Sequence, residues 1–348
     1  MTLSNAAKAT ELPADDRRVA YQGRYAIGAD HQVVLGFPGI IARLSVCAAT
    51  LGARMLAATG DVYFNLSVDG AVPRRIRLRE GLSVVPLLAQ AAPGIHTIEL
   101  VRRTEGWEGI CQILGYEVGS GDLGPLPELP RRKLLFIGDS VTCGEGTEEA
   151  DVPGSPGAER SNAAASYGMK LAARLEAQVH LVSYGGRGII RDWQGIRATN
   201  NAPVFYELAL PDDPTILWIH SRYVPDAVGI CLGTNDFSQG IPDRDEFVGA
   251  FSMFVRKVQR DALGAPVFLI DSPILDDAEG QPPKLSVCRA YLDEIVRTLA
   301  SPTVTHVPIR HYYGSPGDGH PTAAEHTMMA NELEPVFRRA LGWGTSSA

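Results

Sequence analysis

Leu134-Leu135-Phe136-Ile137-Gly138-Asp139-Ser140 (residues 134–140, LLFIGDS) is an apolar run that stops in a polar turn. It reads as a short buried strand ending at a serine. Downstream the period changes repeatedly. Residues 166–175 have helical periodicity, 179–182 read as a strand, and 227–232 as a second buried strand. Residues 246–263 form an amphipathic helix with Phe247, Phe251, Phe254 and Val258 on one face. A strand over 267–270, a helix over 285–299, a strand over 303–307 and a closing helix from Pro321 to about Leu341 complete the pattern. Strands alternating with helices imply right-handed crossovers and a parallel sheet covered on both faces. The expected class of residues 133–348 is α/β.

Upstream the reading is β. Residues 32–35, 62–68, 76–78 and 96–101 are short strand-like runs bounded by turn signals. Val62 to Val68 runs into Asp69-Gly70, a pair suited to a type I′ hairpin turn. Such spacing without amphipathic helices suggests an antiparallel sandwich over residues 1–120. Taken alone, that half reads equally as a packing module with no site of its own. The stretch GSGDLGPLPELPRRK has three prolines and three glycines and marks a linker, assigned to residues 121–132.

Composition excludes several classes. The 348 residues carry 32 Lys plus Arg against 40 Asp plus Glu, a net charge of −8 with no basic block. That argues against a nucleic-acid partner and against anionic membranes. The apolar stretch 39–60 is broken by Arg43 and Arg54, so no membrane span is expected. The start, MTLSNAAKATELPADDRR, has no basic segment followed by an apolar core, so no secretory signal is expected. Cys47, Cys111, Cys143, Cys231 and Cys288 are odd in number and lack a CxxC pair. They fit neither a disulfide framework nor a zinc site, and read as reduced thiols of a cytoplasmic protein.

Function in an open α/β sheet gathers at the carboxyl ends of the strands. Four polar segments fall there. In Gly138-Asp139-Ser140 the serine either offers a hydroxyl and its own N–H to a cleft or serves as a turn or cap residue. Ser183-Tyr184-Gly185-Gly186-Arg187-Gly188 is a glycine turn that lets backbone N–H groups approach a ligand, without phosphate-loop or GxGxxG spacing. In Gly233-Thr234-Asn235-Asp236, Asn235 either donates its amide to a carbonyl oxygen or closes an Asx turn. In Gly317-Asp318-Gly319-His320-Pro321, proline at the first helical position sets His320 near a helix N-terminus. The helix dipole there is expected to keep His320 neutral and able to accept a proton. His96 and His326 lack that setting and read as structural or solvated.

In this order the four segments make the chain resemble the SGNH (GDSL-type) hydrolases from Lys133 onward. The run Val141-Thr142-Cys143-Gly144 after the serine, Ile189-Ile190-Arg191 after the glycine turn, Phe237, and His320-Pro321-Thr322 with His326 and Leu341-Gly342-Trp343 are similar to the family-2 carbohydrate esterases. So are Gly23-Arg24, Phe37-Pro38-Gly39, Val68-Asp69-Gly70, residues 94–100 (GIHTIEL) and Arg103-Thr104-Glu105. The resemblance covers about residues 18–343.

The resemblance implies an N-terminal jelly-roll β-sandwich, a C-terminal three-layer α/β/α hydrolase domain and removal of acetyl groups from plant polysaccharides. It implies Ser140 as nucleophile and His320 as general base. The oxyanion hole would comprise the Ser140 and Gly186 N–H groups and the Asn235 side chain. No cofactor or metal is called for, and the partner is an acetylated carbohydrate. The superfamily's triad aspartate usually stands three residues before the histidine; here that residue is Gly317, and Asp318 stands two before. Either Asp318 completes a triad or a backbone carbonyl orients a Ser-His dyad. Gly319 replaces a frequent tryptophan, and Trp193 either supplies a sugar-stacking face or packs under its loop. Two other functions are kept: an SGNH esterase or thioesterase acting on lipid or small acyl esters, and a carbohydrate-binding protein with a decayed site.

Overall fold

The computed structural model describes residues 9–149, 151 and 154–344. By its internal contacts the chain divides into two compact units, Met1–Leu129 and Pro130–Ala348.

The first unit is built from two antiparallel sheets. One runs Tyr25–Ile27, Val33–Leu35, Cys111–Val118, Leu51–Ala57, Gly81–Leu88, with Thr10–Pro13 also on Cys111–Val118. The other runs Gly121–Leu123, Ile41–Ala48, His96–Arg102, Val62–Val68, Arg74–Leu78, with Ala20–Gln22 also on Ile41–Ala48. Alternation along the strands buries Leu44, Val46, Ile98, Leu100, Met55 and Ile113. At the hairpin tip, Asp69 and Gly70 both have left-handed φ (54° and 72°), as a type I′ turn requires. Arg102 is wholly buried and donates to the carbonyls of Leu35, Thr104, Glu105 and Gly109. Burial lowers its pKa to about 10. Gly121–Leu123, assigned above to the linker, pairs with Val46–Ala48. Its three residues extend a sheet edge, a tertiary pairing that glycine and proline content does not report.

The second unit holds a five-stranded parallel sheet: β1 (Arg132–Gly138), β2 (Ala177–Ser183), β3 (Ala227–Cys231), β4 (Val267–Ile270) and β5 (Val304–Val307). The spatial order is β2-β1-β3-β4-β5. The chain moves outward from β1 to β2, then returns to β3 on the other side of β1. A crevice therefore opens at the carboxyl ends of β1 and β3, where ligands bind in sheets of this kind. The main helices are α1 (Tyr167–Arg174), α2 (Arg244–Asp261), α3 (Lys284–Leu299) and α4 (Ala323–Leu341). Leu134 and Phe136 of β1 enter one core with Tyr167, Leu171, Met329, Leu333 and Phe337 from α1 and α4. Leu135 and Ile137 point to the opposite face and are buried too, so the sheet is covered on both sides in a three-layer α/β/α arrangement. Room for the Phe136 ring comes from glycine. A Cβ on Gly229 would lie 2.6 Å from it, and one on Gly168 3.0 Å.

α2 buries Phe247, Phe251, Phe254 and Val258, the face expected from the sequence. Asp243 caps it by accepting the Glu246 N–H. α4 starts at Ala323, not at Pro321. The Thr322 side chain and Glu325 form a reciprocal capping box, and that box sets the first turn.

Candidate active site

β1 delivers Ser140 to the crevice. Asp139 accepts the Val141 N–H at 3.2 Å and starts the one-turn helix Ser140–Cys143, which Gly144 ends with φ 77°. Ser140 is 5% exposed. His320 Nε2 stands 2.9 Å from Ser140 Oγ. The other ring nitrogen, Nδ1, hydrogen-bonds Asp318 Oδ1. With the proton on Nδ1, the Nε2 lone pair is free to accept the serine O–H. Asp318 Oδ2 in turn accepts Arg160 Nη1 at 2.6 Å, and Arg160 also pairs with Glu149.

Ser140, His320 and Asp318 are thus brought into one line, although Asp318 stands only two residues before the histidine. A tight turn makes the contact: Asp318 and Gly319 both donate to Ser315 O, and Gly319 adopts φ 79°. A Cβ on Gly317 would lie 2.7 Å from Glu149 Oε1, so a side chain at that position would have to displace the Glu149 carboxylate that pairs with Arg160.

His320 does not stand at a helix N-terminus, although Pro321 had suggested one. α4 begins three residues beyond it, and two carboxylates face the ring instead. Burial alone would depress the imidazolium. The Asp318 hydrogen bond and the charges of Glu145, Asp318 and Asp139 outweigh burial, so the His320 pKa lies above its ordinary 6.5. The hydrogen bond from His320, and then the Arg160 charge, hold Asp318 below the usual carboxylate range against its burial. Burial pushes Asp139 up to about 6.

Asn235 ties three segments together. It is 6% exposed, and its amide donates to Arg187 O at 2.9 Å and, at 3.4 Å, to Asp139 Oδ2. The glycine turn bearing Gly186 is fastened at both ends. Tyr184 donates its N–H to Gly138 O. The buried Asp236 carboxylate accepts the N–H groups of Ile189, Ile190 and Arg191. Gly186 has φ 74°, and a Cβ there would lie 2.7 Å from Trp193 Cδ1. Trp193 therefore lies against the turn while 55% of it remains exposed, and its backbone N–H donates to Gly186 O. A Cβ on Gly319 would meet nothing within 4 Å, so that flank of His320 is open.

His326, set apart from the chemistry above, is buried in α4. Its Nδ1 accepts the Tyr167 N–H at 3.1 Å, and burial drives its pKa down to about 3. Three residues with evident bearing on the site are absent from the sequence reading as site residues: Glu145, Arg160 and Asp236. Asp236 and Glu145 lie within or beside the quoted motifs, and that proximity was the available signal. Arg160 had none.

Among the described residues, one group of side chains has metal-ligand geometry. Glu207, His220 and Asp261 each bring a ligand atom within 4.8 Å of the others. Lys257 already sits 2.8 Å from Glu207 and 2.9 Å from Asp261 and offsets one of their two negative charges. This group shares no residue with the crevice. All five cysteines are free thiols, four of them buried. Among the described residues no helix is long and apolar enough to cross a membrane.

Comparison with known proteins agrees with this architecture. Residues 21–127 match the model of the carbohydrate esterase 2 N-terminal domain, and residues 136–328 that of the GDSL-like lipase/acylhydrolase family. An acetylxylan esterase/glucomannan deacetylase of Cellvibrio japonicus is 35% identical over 95% of this chain and 91% of that protein. The structure of a family two carbohydrate esterase from Cellvibrio japonicus superimposes with TM-score 0.91 at 34% identity, covering 97% of this chain and 99% of that one. A family two carbohydrate esterase from Clostridium thermocellum in complex with cellohexaose gives TM-score 0.87 at 30% identity, covering 94% and 100%. A sandwich of the family-two type, a GDSL-like α/β/α unit and a serine–histidine–aspartate line at its crevice lead to one assignment: the chain belongs to the family-two carbohydrate esterases and is a carboxylic ester hydrolase.

Proposed function

We propose that this esterase removes O-acetyl groups from acetylated plant-type oligo- or polysaccharides of the xylan or mannan kind, through an acyl-enzyme on Ser140. The observation that carries the mechanism is the continuous relay of Ser140 Oγ, His320 and Asp318, with 2.9 Å between Oγ and Nε2. The name of the 35% identical relative supports the substrate class.

His320 Nε2 takes the proton of Ser140 Oγ as that oxygen attacks the acetyl carbonyl. Asp318 holds the Nδ1–H tautomer and stabilises the imidazolium that forms. The Ser140 and Gly186 N–H groups and the Asn235 amide receive the oxyanion. The long 3.4 Å contact of Asn235 with Asp139 is the one an oxyanion can take over. The tetrahedral intermediate collapses, the bond to the sugar oxygen breaks, and His320 protonates that oxygen. Water then attacks the acetyl-serine by the same route and releases acetate. Trp193, exposed beside Gly186, offers a face for the sugar. None of these steps draws on a metal or organic cofactor.

Acetate release from acetylated xylo- and manno-oligosaccharides, beside p-nitrophenyl acetate and octanoate, tests the reading with wild type against Ser140→Ala. Serine-dependent acetate release from the sugars is expected. Near-normal turnover by Ser140→Ala would overturn the nucleophile. Hydrolysis of the octanoate alone would move the substrate to lipid esters.

A further inference from the structure

We infer that Glu145 reads a free hydroxyl of the sugar beside the ester oxygen, so that the preferred substrates are partly rather than fully acetylated sugars. The inference rests on the assignment of Ser140 and His320 above.

Glu145 follows directly on the helix that begins at Ser140, and its N–H donates to Ser140 O at 3.0 Å. Left-handed glycines flank it, Gly144 (φ 77°) and Gly146 (φ 67°). A Cβ on Gly146 would lie 3.0 Å from both His320 Cβ and Asp318 Cγ, so the backbone passes directly against the relay. The Glu145 carboxylate is delivered to the ring nitrogen that also faces the serine. Oε2 stands 3.8 Å from His320 Nε2, outside hydrogen-bond reach. Among the described residues that carboxylate accepts no hydrogen bond, and its side chain is only 24% exposed. Burial raises its pKa, and the Asp318 charge adds to this, against the opposing charges of His320 and Arg160. With no protein donor and 24% of the side chain open, the carboxylate is free to accept a hydrogen bond from a bound ligand in place of water.

The chemistry of deacetylation brings such a donor. For His320 to protonate the departing oxygen, that oxygen must come within about 2.6–3.2 Å of Nε2. A hydroxyl next to the ester on the same sugar lies about one hydrogen-bond length from that oxygen. It can therefore reach a carboxylate oxygen 3.8 Å from the same nitrogen. If that hydroxyl is acetylated or methylated, it has no proton to donate. The carboxylate then faces an ether or ester oxygen and stays unpaired.

The test uses pairs of mono-acetylated methyl glycosides, identical except that the hydroxyl beside the ester is free or O-methylated. Wild type, Glu145→Gln and Ser140→Ala are compared on the pH plateau, where any shift in His320 titration drops out. The ratio of kcat/KM, free over methylated, is expected at about tenfold to a hundredfold in the wild type, the range of one hydrogen bond to a charged group. In Glu145→Gln the ratio should fall to within about threefold of unity, because a neutral acceptor discriminates less. An equal ratio in both proteins overturns the inference and leaves Glu145 a field on His320. Unimpaired turnover by Ser140→Ala would instead overturn the underlying reading, so the two failures are distinct.

Discussion

The loop that carries His320 and the glycine turn after β2 are both held by buried carboxylates, but by opposite means. In the loop of residues 315–320, each oxygen of Asp318 meets a group that carries or can carry positive charge: His320 on one side and Arg160 on the other. In the turn of residues 185–191, Asp236 meets neutral backbone N–H groups from Ile189, Ile190 and Arg191. The titrations separate accordingly. Asp318 is held below the usual carboxylate range by His320 and Arg160. Asp236 is pushed up to about 6 by burial, with its backbone hydrogen bonds pulling the other way. In the proposed mechanism, charged partners tune a group that trades protons, whereas backbone donors fix a turn whose own N–H receives the oxyanion. An acyl-transfer site needs both.

The comparison breaks first, if at all, at Asp318. Asp318→Asn is expected to lower kcat by about 10⁴, the cost of replacing a triad aspartate. The direction of the pH change follows from His320. Its pKa is raised, so the neutral base accumulates, and kcat/KM climbs, only as pH rises through a value above 6.5. Removing the Asp318 charge lowers that pKa and moves the acid limb of a pH–kcat/KM profile to lower pH. A loss of only a few-fold would mean that a backbone carbonyl orients the imidazole.

Asp236→Asn tests the neutral anchor. The amide keeps one acceptor oxygen and turns two donors toward backbone N–H groups. The turn should shift and kcat should fall about 10²–10³-fold, as on losing one oxyanion donor. KM and the acid limb should stay near their wild-type positions in steady-state assays across pH. An acid limb displaced as far as in Asp318→Asn would erase the distinction between the two anchors.

Arg160→Met is the mildest of the three. It removes one charge-assisted hydrogen bond from Asp318, worth about tenfold in kcat/KM. It also removes a positive charge from the neighbourhood of the imidazole, so the acid limb should move to higher pH, opposite to Asp318→Asn. A profile displaced downward would show that Arg160 acts on the site by some route other than Asp318.

Much of the architecture was legible in the chain. The change from strand-like runs to alternating strands and helices separated sandwich from α/β unit, and the polar punctuation after β1, β2 and β3 marked the crevice. Misreadings fell where a local signal competed with a distant one. Proline at 321 suggested a helix start, but the Thr322–Glu325 capping box begins α4 two residues later. Proline at 321 also suggested that a helix dipole acts on His320, but the helix begins at Ala323, and Asp318 and Glu145 face the ring and raise its pKa. Glycine and proline suggested a linker at 121–123, where a sheet edge takes the strand.

What the sequence by itself determined is the chain order of the segments that carry Ser140, Gly186, Asn235 and the Asp318–His320 pair, together with the backbone freedom of the glycines beside them. What only the tertiary structure decided is which charges meet. Arg160 reaches Asp318 across 158 positions, and Asp236 reaches Ile189 across 47. Glu145 and His320 approach to 3.8 Å from opposite ends of the unit's sequence. The physical reason is that electrostatic interaction depends on separation and burial, which packing sets, and not on spacing along the chain.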